Sequence, residues 1–81
     1  MQRSEIARVV REVLVEHSAR AGDSIQDDLP LGDEGLGLDS IALAEVLLDC
    51  ELRVGVDDSD LLAELDRTLT VETLVDLLAS A

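Results

Sequence analysis

Ser40 closes the run Gly35-Leu36-Gly37-Leu38-Asp39-Ser40-Ile41, at the point where a long loop gives way to a helical pattern. The first turn of a helix offers free backbone N–H groups and the positive end of its dipole, which together suit a phosphate. A hydroxyl at that point is exposed and reads as a handle for attachment. The plainer alternative is an ordinary N-cap, a role in which serine excels. Asp39 beside it reads equally as a turn residue or as a charge that compensates the dipole.

Catalytic constellations are absent from the pattern. The lone cysteine, Cys50, falls on the apolar side of its segment, and His17 lies on another helix with no motif around it. A reactive thiol needs a base or a cationic neighbour, so Cys50 reads as a small core residue. The acidic run Asp57-Asp58-Ser59-Asp60 lacks the central glycine and terminal glutamate of a calcium loop, so helix capping is the better reading. No metal site and no enzymatic activity are expected.

The elements that must position Ser40 follow from apolar spacing. Ile6, Val9, Val10, Val13 and Leu14 recur at helical intervals behind Ser4, a candidate cap, and Glu5, with Arg8 and Glu12 on the polar side. Residues 20 to 39 form a long loop with four glycines and Pro30, which Ile25, Leu29, Leu31, Leu36 and Leu38 can pin to a core. A second helix spans 40 or 41 to about 53. Ala44, Leu47, Cys50 and also Leu43 and Val54 are expected inside, with Glu45, Asp49 and Glu51 outside. Ile41 and Leu48 can either pack inward or face partners. A short third helix follows Asp57-Asp58-Ser59 with Leu61, Leu62 and Leu65. A last one starts behind Thr70 and buries Val71, Leu74, Val75, Leu77 and Leu78. The expected fold is all-α, a four-helix bundle in one domain over residues 1–81, with a long first connection.

Composition narrows the partners. The 81 residues hold 47% hydrophobic side chains but no Phe, Tyr or Trp, which favours a small aliphatic bundle. Nineteen acidic against six basic residues leave a formal charge of −13, unsuited to nucleic acid or anionic membrane. No Arg or Lys occurs between Ala21 and Leu52, so the surroundings of Ser40 carry one sign of charge. No signal core and no membrane-length apolar run is present, so the expected location is cytoplasmic.

The segment Leu36-Gly-Leu-Asp-Ser-Ile41 resembles the attachment motif of acyl carrier proteins, Gly-x-Asp-Ser-(Leu/Ile). Asp28-Leu-Pro-Leu31 resembles the loop anchor before that motif, and Glu45-Val-Leu-Leu48 the acidic-apolar helix after it. Val54-Gly-Val56 stands where the family often has an aromatic-Gly-Ile sequence, and Thr70-Val71 with Leu74 and Leu77 resembles the last helix. The resemblance implies a four-helix carrier bundle. It also implies that Ser40 receives 4′-phosphopantetheine from coenzyme A through a phosphopantetheinyl transferase with Mg²⁺. Cargo then rides on the arm as a thioester, and the protein supplies presentation and recognition.

Carried over, Asp39 helps dock the modifying enzyme, and Ile41, Glu45, Leu48, Asp49 and Glu51 form the partner-recognition surface. The implied partners are the transferase and acyltransferase, adenylating or ketosynthase-type enzymes with basic docking surfaces, met by a monomer. Val54, Leu52 and Arg53 depart from the family pattern and trim the acidic surface. This points to a discrete carrier of polyketide or hybrid antibiotic biosynthesis. A peptidyl carrier of nonribosomal synthesis, a housekeeping fatty-acid carrier and an unmodified acidic helical adaptor are the alternatives. The cargo is not encoded in the motif.

Overall fold

The computed structural model describes residues 2–18, 25–32, 35–56 and 69–80. Among them lie three helices, α1 (Arg3–Ser18), α2 (Ser40–Val54) and α3 (Val71–Ser80), and no strand beyond one isolated bridge between Pro30 and Thr70. The expected short third helix, with Asp57, Leu61, Leu62 and Leu65, lies outside the described residues, as does Gly22, the expected terminator of the first helix. What the structure supports is therefore a compact, mostly helical fold, with three helices among the described residues. α1 is the element on which both α2 and α3 pack.

Each helix forms where an apolar stripe meets a usable end. In α1 the carbonyl of Gln2 accepts from the N–H groups of Glu5 and Ile6 at 3.0 and 3.1 Å, so the helix starts ahead of Ser4. Ser4, expected as the cap, lies instead within the first turn. Arg3 is helical as well, and its guanidinium pairs with Asp76 of α3. At α3 the expected cap is present: Thr70 Oγ1 accepts from the N–H of Thr73 at 3.2 Å. α2 ends at Gly55, whose N–H donates to the Glu51 carbonyl at 2.8 Å.

The core is aliphatic, as a chain without aromatics requires. α1 contributes Ile6, Val10, Val13 and Leu14, and α3 contributes Val71, Leu74, Val75 and Leu78. α2 contributes Leu43, Val46, Leu47 and Cys50, so Val46 takes the place expected for Ala44, which is half-buried. Val9, Leu77 and Val54 pack at the edge of this cluster. No polar or charged side chain is buried among the described residues. Fully burying each large aliphatic side chain contributes about 1.5–3 kcal/mol, so the roughly level contributions of three helices make their docking interdependent.

Among the described residues, no helix is long and apolar enough to cross a membrane.

Candidate functional site

The loop ahead of Ser40 is fastened at both ends. Its first half lies against the start of α3: Leu31 N–H donates to the Leu69 carbonyl at 2.8 Å, and Val71 N–H to the Leu29 carbonyl at 3.1 Å. Glu72 N–H adds a bond to the Asp27 carbonyl at 2.8 Å, and Arg11 of α1 pairs with Asp27 from the other side. Ile25 and Leu31 are buried, and Leu29 is half-buried. Peptide groups that could not join a helix are thereby satisfied against each other.

The second half folds back on the first. Leu36 N–H donates to the Pro30 carbonyl at 3.0 Å, Gly37 N–H to Gly32 at 2.8 Å and Leu38 N–H to Leu31 at 3.0 Å. This close return explains two glycines of the motif. A Cβ on Gly35 would overlap the carbonyl of Pro30, and Gly37 adopts φ +75°, which L side chains rarely adopt. The turn delivers Leu38 into the core at 5% exposure, and the chain emerges at Asp39.

Asp39, not Ser40, is the N-cap of α2. Its backbone is extended (φ −81°, ψ 179°), its Oδ1 accepts from the N–H of Ala42 at 2.8 Å, and its carbonyl accepts from Leu43 N–H at 2.9 Å. Ser40 is therefore the first helical residue, exposed, and its hydroxyl takes no part in the cap. The first-turn N–H groups of Ser40 and Ile41 have no intrahelical acceptor. Beyond the cap, no acidic side chain occupies this turn. Among the described residues nothing holds the Ser40 oxygen, which stands at the positive end of a 15-residue helix. A hydroxyl, first-turn N–H groups without an intrahelical acceptor and the helix dipole together make an environment suited to a phosphate.

The proposed recognition residues separate into two groups. Ile41, Glu45 and Leu48 are exposed along α2, and Glu51 is partly so. Neither Glu45 nor Glu51 enters an ion pair among the described residues. Asp49 differs. Arg53 Nε donates to its Oδ1 at 3.0 Å, and His17 Nε2 lies 3.5 Å from its Oδ2. Arg53 also donates to Glu16 Oε2 at 2.6 Å, so Asp49 belongs to a seam between α1 and α2. The Glu16 hydrogen bond, with the nearby Asp49 charge, pushes the Arg53 pKa up and keeps it cationic. The carboxylate of Asp49 is thus committed within the chain.

Cys50 is fully buried. Burial first, and the adjacent Asp49 charge second, push its thiol up to about 12, so it remains protonated at neutral pH. His17 faces Asp49 rather than that thiol. Among the described residues no group of His, Cys, Asp and Glu is arranged to hold a metal ion. The acidic run at 57–60 lies outside those residues.

One exposed residue was not singled out by sequence reasoning as a contact. Leu52 is 83% exposed, the most exposed large apolar side chain described. Its signal was present in its spacing of four from Leu48 and eleven from Ile41.

Neither protein-family models nor curated proteins match this chain.

Proposed function

We propose that this chain is an acyl carrier protein that holds acyl or aminoacyl intermediates as thioesters on a 4′-phosphopantetheine arm attached to Ser40. The observation that carries the reading is the free, exposed Ser40 hydroxyl at the first position of α2, delivered by the Gly35–Ile41 loop behind an aspartate cap. The residues fit the group: the attachment oxygen is unspent, first-turn N–H groups are available to a phosphodiester, and no first-turn carboxylate opposes it. Asp39 spends its own charge on the Ala42 N–H at the rim.

In the attachment step the Ser40 Oγ–P bond forms as the P–O–P bond of coenzyme A breaks. The nucleotide half leaves, and the hydroxyl proton passes to a base on the transferase. When attached, the arm supplies a terminal thiol that holds the cargo. The chain's own part is to present Ser40, hold the helix start rigid and offer an acidic address to partner enzymes. Tethering raises the cargo's effective concentration at any active site the arm can reach.

In this reading the segment between α2 and α3 contributes the short third helix of a four-helix carrier bundle. The pathway is polyketide or hybrid antibiotic biosynthesis, the protein is monomeric, and the loading and receiving enzymes carry basic docking surfaces.

The test is intact-mass analysis after co-expression with a broad-specificity phosphopantetheinyl transferase. The expected shift is one arm, roughly a third of a kilodalton, and Ser40→Ala abolishes it. An unshifted wild-type mass, or a shift that persists in Ser40→Ala, overturns the proposal.

A further inference from the structure

The starts of α2 and α3 are tied through one residue. Leu31 N–H donates to the Leu69 carbonyl at 2.8 Å, and the Leu31 carbonyl accepts from Leu38 N–H at 3.0 Å. Leu69 immediately precedes Thr70, the cap of α3, and Leu38 immediately precedes Asp39, the cap of α2. A displacement of one helix start therefore reaches the other through Leu31. Sliding cannot absorb it, because the Leu31 and Leu38 side chains are packed in the core at 0% and 5% exposure.

The loop spends its acceptors unequally on the two helices. The first N–H groups of a helix have no intrahelical acceptor. In α3, Val71 N–H donates to the Leu29 carbonyl at 3.1 Å, Glu72 N–H to Asp27 at 2.8 Å and Thr73 N–H to Thr70 Oγ1 at 3.2 Å. Pro30 faces Thr70 in the isolated bridge, between the bonds of Leu29 and Leu31, where no N–H is asked of it. In α2 the matching acceptor serves Ala42 alone among the described residues, through the Asp39 carboxylate. The loop is thus laid on the α3 start, and the α2 start is placed by the loop. Arg11 of α1 secures the loop's first residues, its Nε donating to the Ile25 carbonyl at 3.2 Å and its guanidinium pairing with Asp27.

We infer that Thr70 is a positioning residue for the attachment step at Ser40, although it belongs to another helix. Its hydroxyl holds the first turn of α3, that turn holds Leu29, and the Leu69 carbonyl just ahead of it holds Leu31. Leu31 in turn holds Leu38, from which Asp39 and Ser40 follow. Hydrogen bonds weaken steeply as their angle falls towards about 120°, so fraying of the α3 turn loosens this chain of bonds. The packing of α2 on α1 does not depend on it, so the disturbance is local. The inference rests on the carrier reading of Ser40 and adds to it a residue outside the recognition face of α2. Loss of Thr70 misplaces the oxygen and leaves that face intact, so it lowers kcat and spares KM.

The experiment compares Thr70→Ala, Thr70→Ser and Leu77→Ala in the full chain. Leu77, half-buried about two turns along α3, controls for lost stability. Amide hydrogen exchange is measured on the unmodified chain and scaled to its slowest core amides. At Leu31 and Leu38 it is expected to be at least about tenfold faster in Thr70→Ala than in Leu77→Ala. Loading by a broad-specificity phosphopantetheinyl transferase is expected to lose at least about fivefold in kcat in Thr70→Ala, with KM within about twofold of wild type. Thr70→Ser keeps the capping oxygen and restores both readouts, and Leu77→Ala loads with the wild-type kcat. Thr70→Gly, a milder loss of the same cap, is expected to fall between serine and alanine and stands in should alanine unfold the chain. Leu38 exchange no faster in Thr70→Ala than in Leu77→Ala overturns the inference. A loss confined to KM, or an equal loss of kcat in Leu77→Ala, overturns it too. A wild type that takes no arm overturns the carrier reading, whereas a loaded chain with an unresponsive Leu38 overturns this inference alone.

Discussion

The carboxylate of Asp39 holds the backbone N–H of Ala42 at 2.8 Å, and the residue between them, Ser40, begins α2 with its hydroxyl unspent. Capping and attachment are thus divided between adjacent side chains. Had Ser40 been the cap, modifying its oxygen would have removed the acceptor that starts the helix.

Replacing Asp39 by alanine removes that acceptor and is expected to destabilise the chain by about 0.5–2 kcal/mol. Asp39→Asn restores the cap without the charge. Urea unfolding measures the first effect, and the rate of phosphopantetheine loading measures what the charge adds. Full recovery of both stability and loading in Asp39→Asn would show that the aspartate is a cap and nothing more.

Gly35→Ala drives a methyl group into the carbonyl of Pro30, a backbone atom that cannot rotate away. The expected loss is about 1–3 kcal/mol. Hydrogen exchange should locate the disturbance at the N–H groups of Leu36 and Leu38, which bond to Pro30 and Leu31. Unchanged protection at both would contradict the loop geometry.

Burial pushes the Cys50 thiol up to about 12, so the native chain should give no reaction with a thiol reagent at pH 7.5, and the unfolded chain one. The loaded protein should then show one fast thiol, that of the arm. Because the folded pKa is raised, the contribution is fully present below about pH 9, where the unfolded thiol starts to ionise, and is lost as pH rises towards about 12. The chain has no Lys or Tyr to titrate in that window, so Cys50→Ala should flatten the decline seen in unfolding curves. An equal slope in that variant would assign the effect elsewhere.

Charge reversal at Glu45 or Glu51 is expected to slow loading several-fold at low salt and to weaken its salt dependence, since exposed charges are screened beyond about 10 Å at 0.1 M. Asp49→Asn should leave loading unchanged, because that carboxylate is held by Arg53 and His17. An equal slowing by Asp49→Asn would place the docking contact on the α1 side of α2 instead.

Local chemistry made much of this legible. The apolar stripes of α1 and α3 and the Thr70 cap depend on residues within a few positions of each other, and the structure carries them nearly as the spacing implies. α1 starts two residues earlier than a cap at Ser4 would place it, and Arg3, thereby helical, pairs with Asp76 at the far end of the chain. Asp49 reads as an outward carboxylate from its helix alone. Its pairing with Arg53 at i,i+4 is local, but His17, and Glu16 through Arg53, draw that pair into a seam with α1 that no local pattern shows.

By itself, the sequence determined that a helix begins near Ser40 behind a glycine-rich, leucine-pinned loop in an acidic aliphatic chain. Tertiary structure decided which of Asp39 and Ser40 caps it, because burial of Leu38 sets where the loop leaves the core. It also decided the rotation of α2. With leucines on opposite sides, periodicity permits either face to turn inward. Packing against α1 buried Val46 and Leu47 and left Leu48 and Leu52 outside.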